Sequence, residues 1–378
     1  MRVLIDYRPA LCARTGVGEY VHQLVRALAP SGPLRGTNDE VWAFTSSWRD
    51  RLSSGAAAEL GAVRIVDRRI PVRLLNFCWQ RLGWPPVEIL AGRRFDVVHS
   101  PHPLRLPARH AAQVVTIHDL DFLAHPERVH REIRRDYPRL AREHAHRADR
   151  VIVPSRYTAA AVTRLLEVPA DRISVCPHGA PNWEVRNRPP RDQRYVLFVG
   201  TLDARKNIGG LLAGYAKLLQ RDSGAPDLVL AGKSAADADA WLSVIRNPPL
   251  SGKVRHLGYV SPDDRPALYA GARLLVLPSF DEGFGLPVLE AMASGVPVVA
   301  SHRGALPEVL GDAGALIEPD DVDELASAME RMLTDEAHAE ACAARGRERA
   351  RAFTWEASAI RTREAYDAAI TTRRARAL

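Results

Sequence analysis

Two glutamates separated by seven residues, Glu282 and Glu290, flank a turn that reads Gly283-Phe284-Gly285-Leu286-Pro287. Proline near the first helical position is a favoured helix start. Gly283 and Gly285 let backbone amides come close to a ligand and face a diphosphate. Glu290 falls about one turn into the predicted helix and leans back toward its N-terminus. A carboxylate accepts several hydrogen bonds, so Glu290 can grip the vicinal hydroxyls of a ribose. Glu282 sits nearer to where a sugar would hang from the phosphates. Two acids beside a phosphate site repel it, and hydroxyl recognition is the chemistry that accounts for them.

A second constellation is Gly200-Thr201-Leu202-Asp203-Ala204-Arg205-Lys206-Asn207. An apolar run ends at Gly200, and a basic pair stands just before a predicted helix. Arg205 can fork two phosphate oxygens and Lys206 supplies a point charge, both helped by the helix dipole. A solvated basic loop is the alternative. Lys206 is one of four lysines against 48 arginines, which suggests that the amine itself is wanted.

Two weaker signals lie in the first half. Gly16-Val17-Gly18 forms a predicted βα turn that either meets an anion or is simply tight. Val21 stands where a dinucleotide fingerprint needs its third glycine, which weakens a nicotinamide or flavin reading. His118-Asp119 follows a predicted strand end, where an α/β site places polar groups. His118 either donates to a substrate hydroxyl or is a satisfied structural histidine. No further histidine stands at metal-ligand spacing, so neither a metal nor a cofactor is expected.

The elements that must position these groups alternate throughout the chain of 378 residues. Strands are predicted over 3–6, 41–45, 63–66, 96–99, 114–117, 151–153 and 173–176. A second series covers 195–199, 228–230, 254–257, 274–277, 298–300 and 315–317. Continuous Val/Ile-rich runs of this kind are buried on both faces of a parallel sheet. Helices are predicted over 18–29, 157–166, 207–220, 266–270, 286–293 and 322–333. The pattern predicts an α/β chain of two Rossmann-like, doubly wound domains with a cleft between them. They span 1–188 and 189–354, joined by a Pro-, Asn- and Arg-rich linker over 181–194.

Composition narrows the function classes. Cys12, Cys78, Cys176 and Cys342 are far apart, which excludes a disulfide framework or zinc ribbon and suits a reducing cytosol. The start reads as a first strand rather than a signal peptide, and no apolar run reaches the ~18–20 residues that span a bilayer. The net charge of +7 is uneven, at +10 over residues 1–188 and −3 over the rest. The basic half suits an anionic partner or reflects an arginine-biased genome. It has no helix-turn-helix signature and no aromatics interleaved as stacking platforms, so nucleic acid is not expected. Residues 68–84 mix four arginines with Leu, Phe and two Trp. Such a segment either lies in the headgroup layer of an anionic membrane or packs its apolar residues into the domain.

Taken together, these segments resemble the retaining glycosyltransferase family 4, of the GT-B architecture. The resemblance rests on the Glu282/Glu290 element, the stretch from Gly200 to Asn207 and Leu257-Gly258-Tyr259-Val260. The first half adds His118-Asp119, Pro177-His178-Gly179 and the 16–18 loop. It implies an acceptor-binding domain at 1–188, a donor-binding domain at 189–354 and a last helix, about 355–378, that returns to the first domain. Arg205 and Lys206 would bind the donor diphosphate, Glu290 the ribose and Glu282 the transferred sugar. Gly200, Thr201, Gly283, Phe284, Gly285 and Leu286 would line the donor. Val260 would meet the base through its backbone, and His118 would lie beside donor sugar and acceptor. Gly16 and Gly18 would line the acceptor side or the donor phosphates. Many members carry Arg or Ser where Thr201 stands, which leaves the diphosphate resting more on Arg205 and Lys206.

The expected activity is metal-independent, retaining transfer of a sugar, mannose favoured, from a nucleotide-diphosphate donor such as GDP-mannose. The acceptor is a glycan or lipid-linked glycan of bacterial surface polysaccharide, met in the cytoplasm or at the inner face of the membrane. A GT-B-like nucleotide-sugar epimerase or phosphorylase is the alternative, with a nucleic-acid-binding or scaffold protein more remote.

Overall fold

The computed structural model describes residues 1–11, 14–29, 39–125, 131–183, 194–235 and 238–377. The chain divides into two units, Met1–Gly179 with Trp355–Leu378, and Ala180–Thr354. The division falls before residue 188 because the Ala180 N–H donates to the Phe353 carbonyl at 2.8 Å, tying Ala180 to the second unit. Most of the stretch read as a linker, residues 184–193, lies outside the described residues.

In the first unit the described strands are β1 (Arg2–Asp6), β2 (Glu40–Ser46), β3 (Arg64–Arg68), β4 (Val97–Ser100), β5 (Ala112–Thr116), β6 (Arg150–Val153) and β7 (Ile173–Val175). They pair in the order β3-β2-β1-β4-β5-β6-β7. The second unit holds β8 (Tyr195–Val199), β9 (Leu228–Ala231), β10 (Val254–Gly258), β11 (Ala272–Leu277), β12 (Val298–Ser301) and β13 (Ala315–Ile317), ordered β10-β9-β8-β11-β12-β13. Every pairing is parallel. Both sheets share the doubly wound order, which reverses at β1/β4 and at β8/β11. Each strand expected from the apolar runs is present to within two residues.

Burial on both sheet faces explains those continuous runs. Val3, Ile5, Val97 and Val114 join one core of the first unit, while the alternate residues Leu4 and Val98 join a second and Val115 a third. Successive side chains of a strand point to opposite faces, so both faces of this sheet are covered. The second unit gathers β8 to β12 and their helices around one core. Each fully buried Val or Leu contributes about 1.5–3 kcal/mol of transfer free energy. At Gly232, φ is +153° and an added Cβ would sit 1.8 Å from the Gly200 carbonyl oxygen. Only glycine lets the β9 and β8 ends approach this closely.

The final helix, Trp355–Ala377, belongs to the first unit. Ser358, Ala359, Thr362, Ala365, Tyr366 and Ala369 are buried at helical spacing, and the alanines and Tyr366 enter the core that holds Val3 and Ile5. The small residues let the helix lie close to the sheet. Tyr366 Oη meets His99 Nδ1 at 2.8 Å, and His99 Nε2 meets Thr116 Oγ1 at 2.7 Å. Burial, aided by the neighbouring imidazoles His118 and His102, pulls the His99 pKa down to about 3.

Two outcomes follow for urea unfolding. Tyr366→Phe strips a buried imidazole nitrogen of its partner and should cost about 1–3 kcal/mol. Between pH 6.5 and 3 the unfolded chain holds a proton on His99 that the folded chain refuses, so stability should fall as pH is lowered through that window. Unchanged midpoints in the variant and between pH 7.5 and 5 would contradict the buried His99–Tyr366 contact.

Candidate functional site

Ligands of open parallel sheets bind outside the carboxyl ends of the strands, where the strand order reverses. In the second unit that point lies between β8, which runs into Gly200, and β11, which runs into Pro278 and Ser279. The two loops leaving these strands are stitched together. Phe280 N–H donates to the Arg205 carbonyl at 2.8 Å, and Arg205 Nη1 returns a bond to the Asp281 carbonyl at 2.9 Å.

Local capping aims the basic pair. Asp203 accepts from the Lys206 N–H at 3.1 Å and caps the short 3₁₀ turn Ala204–Lys206. Asn207 adopts a left-handed conformation, φ +54°, and its Oδ1 accepts from the Gly210 N–H at 3.1 Å to cap the helix Ile208–Arg221. Its Nδ2 donates to the Pro319 carbonyl at 2.7 Å. Asp203 and Asn207 therefore fix where Arg205 and Lys206 point. Gly200 lies against both Phe198 and Lys206, where an added Cβ would stand 3.2 Å from Phe198 Cζ and in ordinary contact, 3.5 Å, with Lys206 Cε.

Both cations meet Glu282. Its Oε1 accepts from Lys206 Nζ and from Ser279 Oγ at 2.8 Å, and its Oε2 accepts from Arg205 Nη1 at 3.3 Å. Lys206 and Glu282 are buried and Arg205 is partly exposed. Burial works to raise the Glu282 pKa, yet the Lys206 and Arg205 charges outweigh it and hold the carboxyl below its ordinary value. The triad thus carries one net positive charge. The backbone behind it is tight. Ala305 N–H donates to the Glu282 carbonyl at 2.8 Å, and at Gly304, φ +63°, a Cβ would lie 2.6 Å from both Glu282 N and O.

Glu290 forms a second buried cluster on the helix Leu286–Ala293. Arg265 Nη1 donates to its Oε1 at 2.9 Å and Tyr269 Oη to its Oε2 at 2.7 Å. Burial, and then the Glu290 charge, raise the Tyr269 phenol well above its usual pKa. These donors orient the Glu290 carboxylate, a group with about four acceptor sites. Gly283, Phe284 and Gly285 are buried in the turn before this helix, and Leu286 is half-buried at its start. Gly285, φ +102°, is pressed against Leu306. Thr201 is exposed, and Val260 is half-buried after β10. The sequence reading does not single out Ser279, Arg265, Tyr269 or Gly304. Arg265 and Tyr269 carry an i, i+4 helical spacing on a short helix that reads as ordinary, and Gly304 follows a strand end with no basic or acidic marker beyond Arg303.

The first unit has its own reversal point, between β1 and β4. Asp6 ends β1 fully buried, and Arg8 forks it at 2.8 and 2.7 Å. His102 Nε2 reaches Asp6 Oδ2 at 3.2 Å, while His102 Nδ1 accepts from the Leu104 N–H at 3.3 Å. Burial opposes ionisation of Asp6, but Arg8 and His102 hold its carboxyl far below the usual range. Arg8 Nη1 also donates to Asn76 Oδ1 at 2.9 Å, and its guanidinium lies 4.7 Å from the centre of the Trp79 ring. Asp6, Arg8, Asn76, Trp79, Gln80 and His102 are among the residues that line a cavity of about 270 Å³.

His118 lies after β5. Its Nε2 donates to the Pro101 carbonyl at 3.1 Å, and its ring meets the Tyr20 edge at 4.8 Å and His178 at 5.6 Å. Burial lowers its pKa to about 4, so it is neutral at pH 7. Gly16 and Gly18 do not form a loop. The helix Gly16–Leu28 begins at Gly16 because Thr15 takes the N-cap position and its carbonyl accepts from the Glu19 N–H at 2.8 Å. Gly16 is exposed with open space around it, whereas a Cβ on Gly18 would meet the Pro9 carbonyl at 2.7 Å. Among the described residues no three His, Cys, Asp or Glu side chains converge on one point, and no helix is long and apolar enough to cross a membrane.

Comparison with known proteins places this geometry. The family model "Glycosyltransferase Family 4" matches residues 14–181, and "Glycosyl transferases group 1" matches residues 180–349. The chain is 33% identical to the O-antigen chain mannosyltransferase B of Escherichia coli, over 97% of this chain and 99% of that one. It is 31% identical to the MMP alpha-(1->4)-mannosyltransferase of Mycolicibacterium hassiacum, over 75% and 73%. Sucrose-phosphate synthase from Thermosynechococcus elongatus superposes with a TM-score of 0.76 at 25% identity, covering 97% and 98%. WaaG, a glycosyltransferase involved in lipopolysaccharide biosynthesis, superposes at 0.70 with 16% identity, covering 97% and 98%. With a full-length relative, matches to both family models and two sheets of the same strand order, the chain belongs to the family 4 glycosyltransferases of the GT-B fold class.

Proposed function

We propose that this enzyme transfers mannose from GDP-mannose, with retention of configuration and without a metal, to a glycan or lipid-linked acceptor of bacterial surface polysaccharide. The observation that carries the reading is the triad of buried Lys206 and Glu282 with partly exposed Arg205 at the β8/β11 reversal point, with the oriented Glu290 on the adjoining helix. The triad offers net positive charge to a diphosphate and a carboxylate to a sugar. Mannose is supported by the names of the relatives reported above, both mannosyltransferases. UDP-linked sugars are the alternative donors in the same assays. The second unit would bind the donor and the first the acceptor.

In this reading Lys206 and Arg205 turn from Glu282 toward the donor diphosphate, and the helix N-terminus at Leu286 adds backbone amides. Glu290 takes the ribose hydroxyls, Glu282 the sugar, and the Val260 backbone the base. Gly200, Thr201, Gly283, Phe284, Gly285 and Leu286 line the donor, with Gly16 and Gly18 on the acceptor side or at the phosphates. His118, neutral, hydrogen-bonds near the reacting sugar. The bond from the anomeric carbon to the phosphate oxygen breaks, and the acceptor oxygen bonds to that carbon on the same face. The acceptor proton passes to the departing phosphate oxygen. Cations carried beside a leaving group on capped loops lower the barrier by stabilising its charge.

Glu290→Ala should weaken binding of the nucleotide-sugar roughly 10- to 100-fold, since a hydrogen bond to a charged group is worth about 1.5–3 kcal/mol. Calorimetry that finds wild-type affinity in the folded variant removes Glu290 from the site.

Lys206→Ala should lower turnover about 10²–10³-fold, the scale of a lost leaving-group contact. Glu282→Gln should lower turnover while leaving affinity for the free nucleoside diphosphate undiminished, because it removes a negative charge beside the phosphates. Equal losses of diphosphate affinity in both variants would contradict the division of roles. Activity should survive EDTA, and its abolition would overturn the metal-free reading.

A further inference from the structure

The segment from Pro71 to Trp84 has two faces. The helix Val72–Phe77 runs directly into a wider turn, Cys78–Leu82. Leu75 and Trp79 point inward into the core that holds Leu4 and Phe44, and Val72, Asn76, Trp79 and Gln80 line the Asp6–His102 cavity. The other face is left to solvent. Leu74, Phe77, Leu82 and Trp84 are each more than half exposed, which is unusual for four large apolar side chains so close in sequence.

The charges on the segment itself have one sign. Arg68, Arg69, Arg73 and Arg81 lie within it, and no Asp or Glu occurs between residues 68 and 87. Arg81 reaches Asp136 at 3.6 Å, so its charge is partly shared, while Arg69 and Arg73 stand exposed. A second copy of the same face would bring these cations against each other, since a two-fold interface pairs a patch with itself. An anionic amphiphile satisfies both features. Its headgroups meet the arginines and its acyl region takes the Leu, Phe and Trp side chains, Trp being suited to that boundary.

We propose that the outer face of residues 71–84 docks on an anionic lipid bilayer. The inner face of the same helical segment lines the cavity at the β1/β4 reversal point. Docking therefore holds that cavity next to the bilayer surface, where the sugar of a lipid-anchored acceptor would present itself. The proposal goes beyond the transferase reading, and its test reads binding and not transfer, so failure of one leaves the other standing.

The test is co-sedimentation of the full chain with vesicles of phosphatidylglycerol and phosphatidylcholine, against vesicles of phosphatidylcholine alone. The protein should pellet with the anionic vesicles at low salt, be released by high salt, and stay in solution with the neutral ones. Arg69→Gln/Arg73→Gln should weaken partition roughly 30-fold, from two surface charges each worth about a factor of five. Phe77→Ser/Trp84→Ser should weaken it at least tenfold. All four side chains are exposed, and circular dichroism checks that both variants keep the fold. Equal pelleting with the two vesicle types, no pelleting at all, or wild-type partition of both variants would overturn the proposal. So would sedimentation velocity without vesicles that shows a dimer lost in Phe77→Ser/Trp84→Ser, which would assign the face to a second copy of the chain.

Discussion

The buried carboxylate of Glu282 between Lys206 and Arg205 is the interaction on which the second unit is organised. Three charges in a largely water-free place are costly, and removing one partner of such a set typically costs about 3–5 kcal/mol. The protein meets that cost with Ser279 Oγ on the carboxylate and with backbone bonds that fix both loops. Asp203 and Asn207 cap the turn that carries the cations, and Gly304 lets the 301–305 chain press against the Glu282 backbone. The capped turn and the paired loops keep both cations at the strand ends, where in the proposed reaction phosphate oxygens take the place of the carboxylate as their partner.

The first unit repeats the strand order and puts another buried carboxylate at the corresponding point, with a different outcome. Asp6 is engaged by Arg8 and His102 and orients both at the cavity that all three line. Arg8 in turn is flattened on Trp79 and holds Asn76. Reversal of strand order creates the crevice in both units, while the side chains at the strand ends decide what it can bind.

Much of this was legible in the sequence because parallel strands buried on both faces leave unbroken apolar runs, as β1, β4, β8, β9, β11 and β12 do, while the edge strands β3 and β10 carry charged residues between shorter ones. The Glu282/Glu290 element and the Arg205-Lys206 pair were also readable, since charged residues beside glycines after apolar runs are conspicuous. What was not readable has physical reasons. The helices Arg131–Arg147 and Glu336–Ala350 carry few large apolar residues, and Pro138 inside the first reads as a breaker. That Glu282 meets both cations follows from three-dimensional approach across 76 and 77 positions, which spacing cannot reveal. Tyr269 and Arg265 hide for the same reason, as they reach Glu290 from a separate short helix. The 16–18 segment reads as a loop from its glycines, yet Thr15 begins the helix ahead of them.

The proposed transfer requires a nucleoside diphosphate to bind where β8 and β11 part, on Lys206, Arg205 and the start of the helix Leu286–Ala293. Hydrogen–deuterium exchange of the full chain with and without saturating GDP tests it directly. Added protection is expected in peptides covering residues 200–208 and 279–290, with little change around Asp6 and His102. Protection absent from both of those segments under saturation, or confined to the first unit, would contradict it.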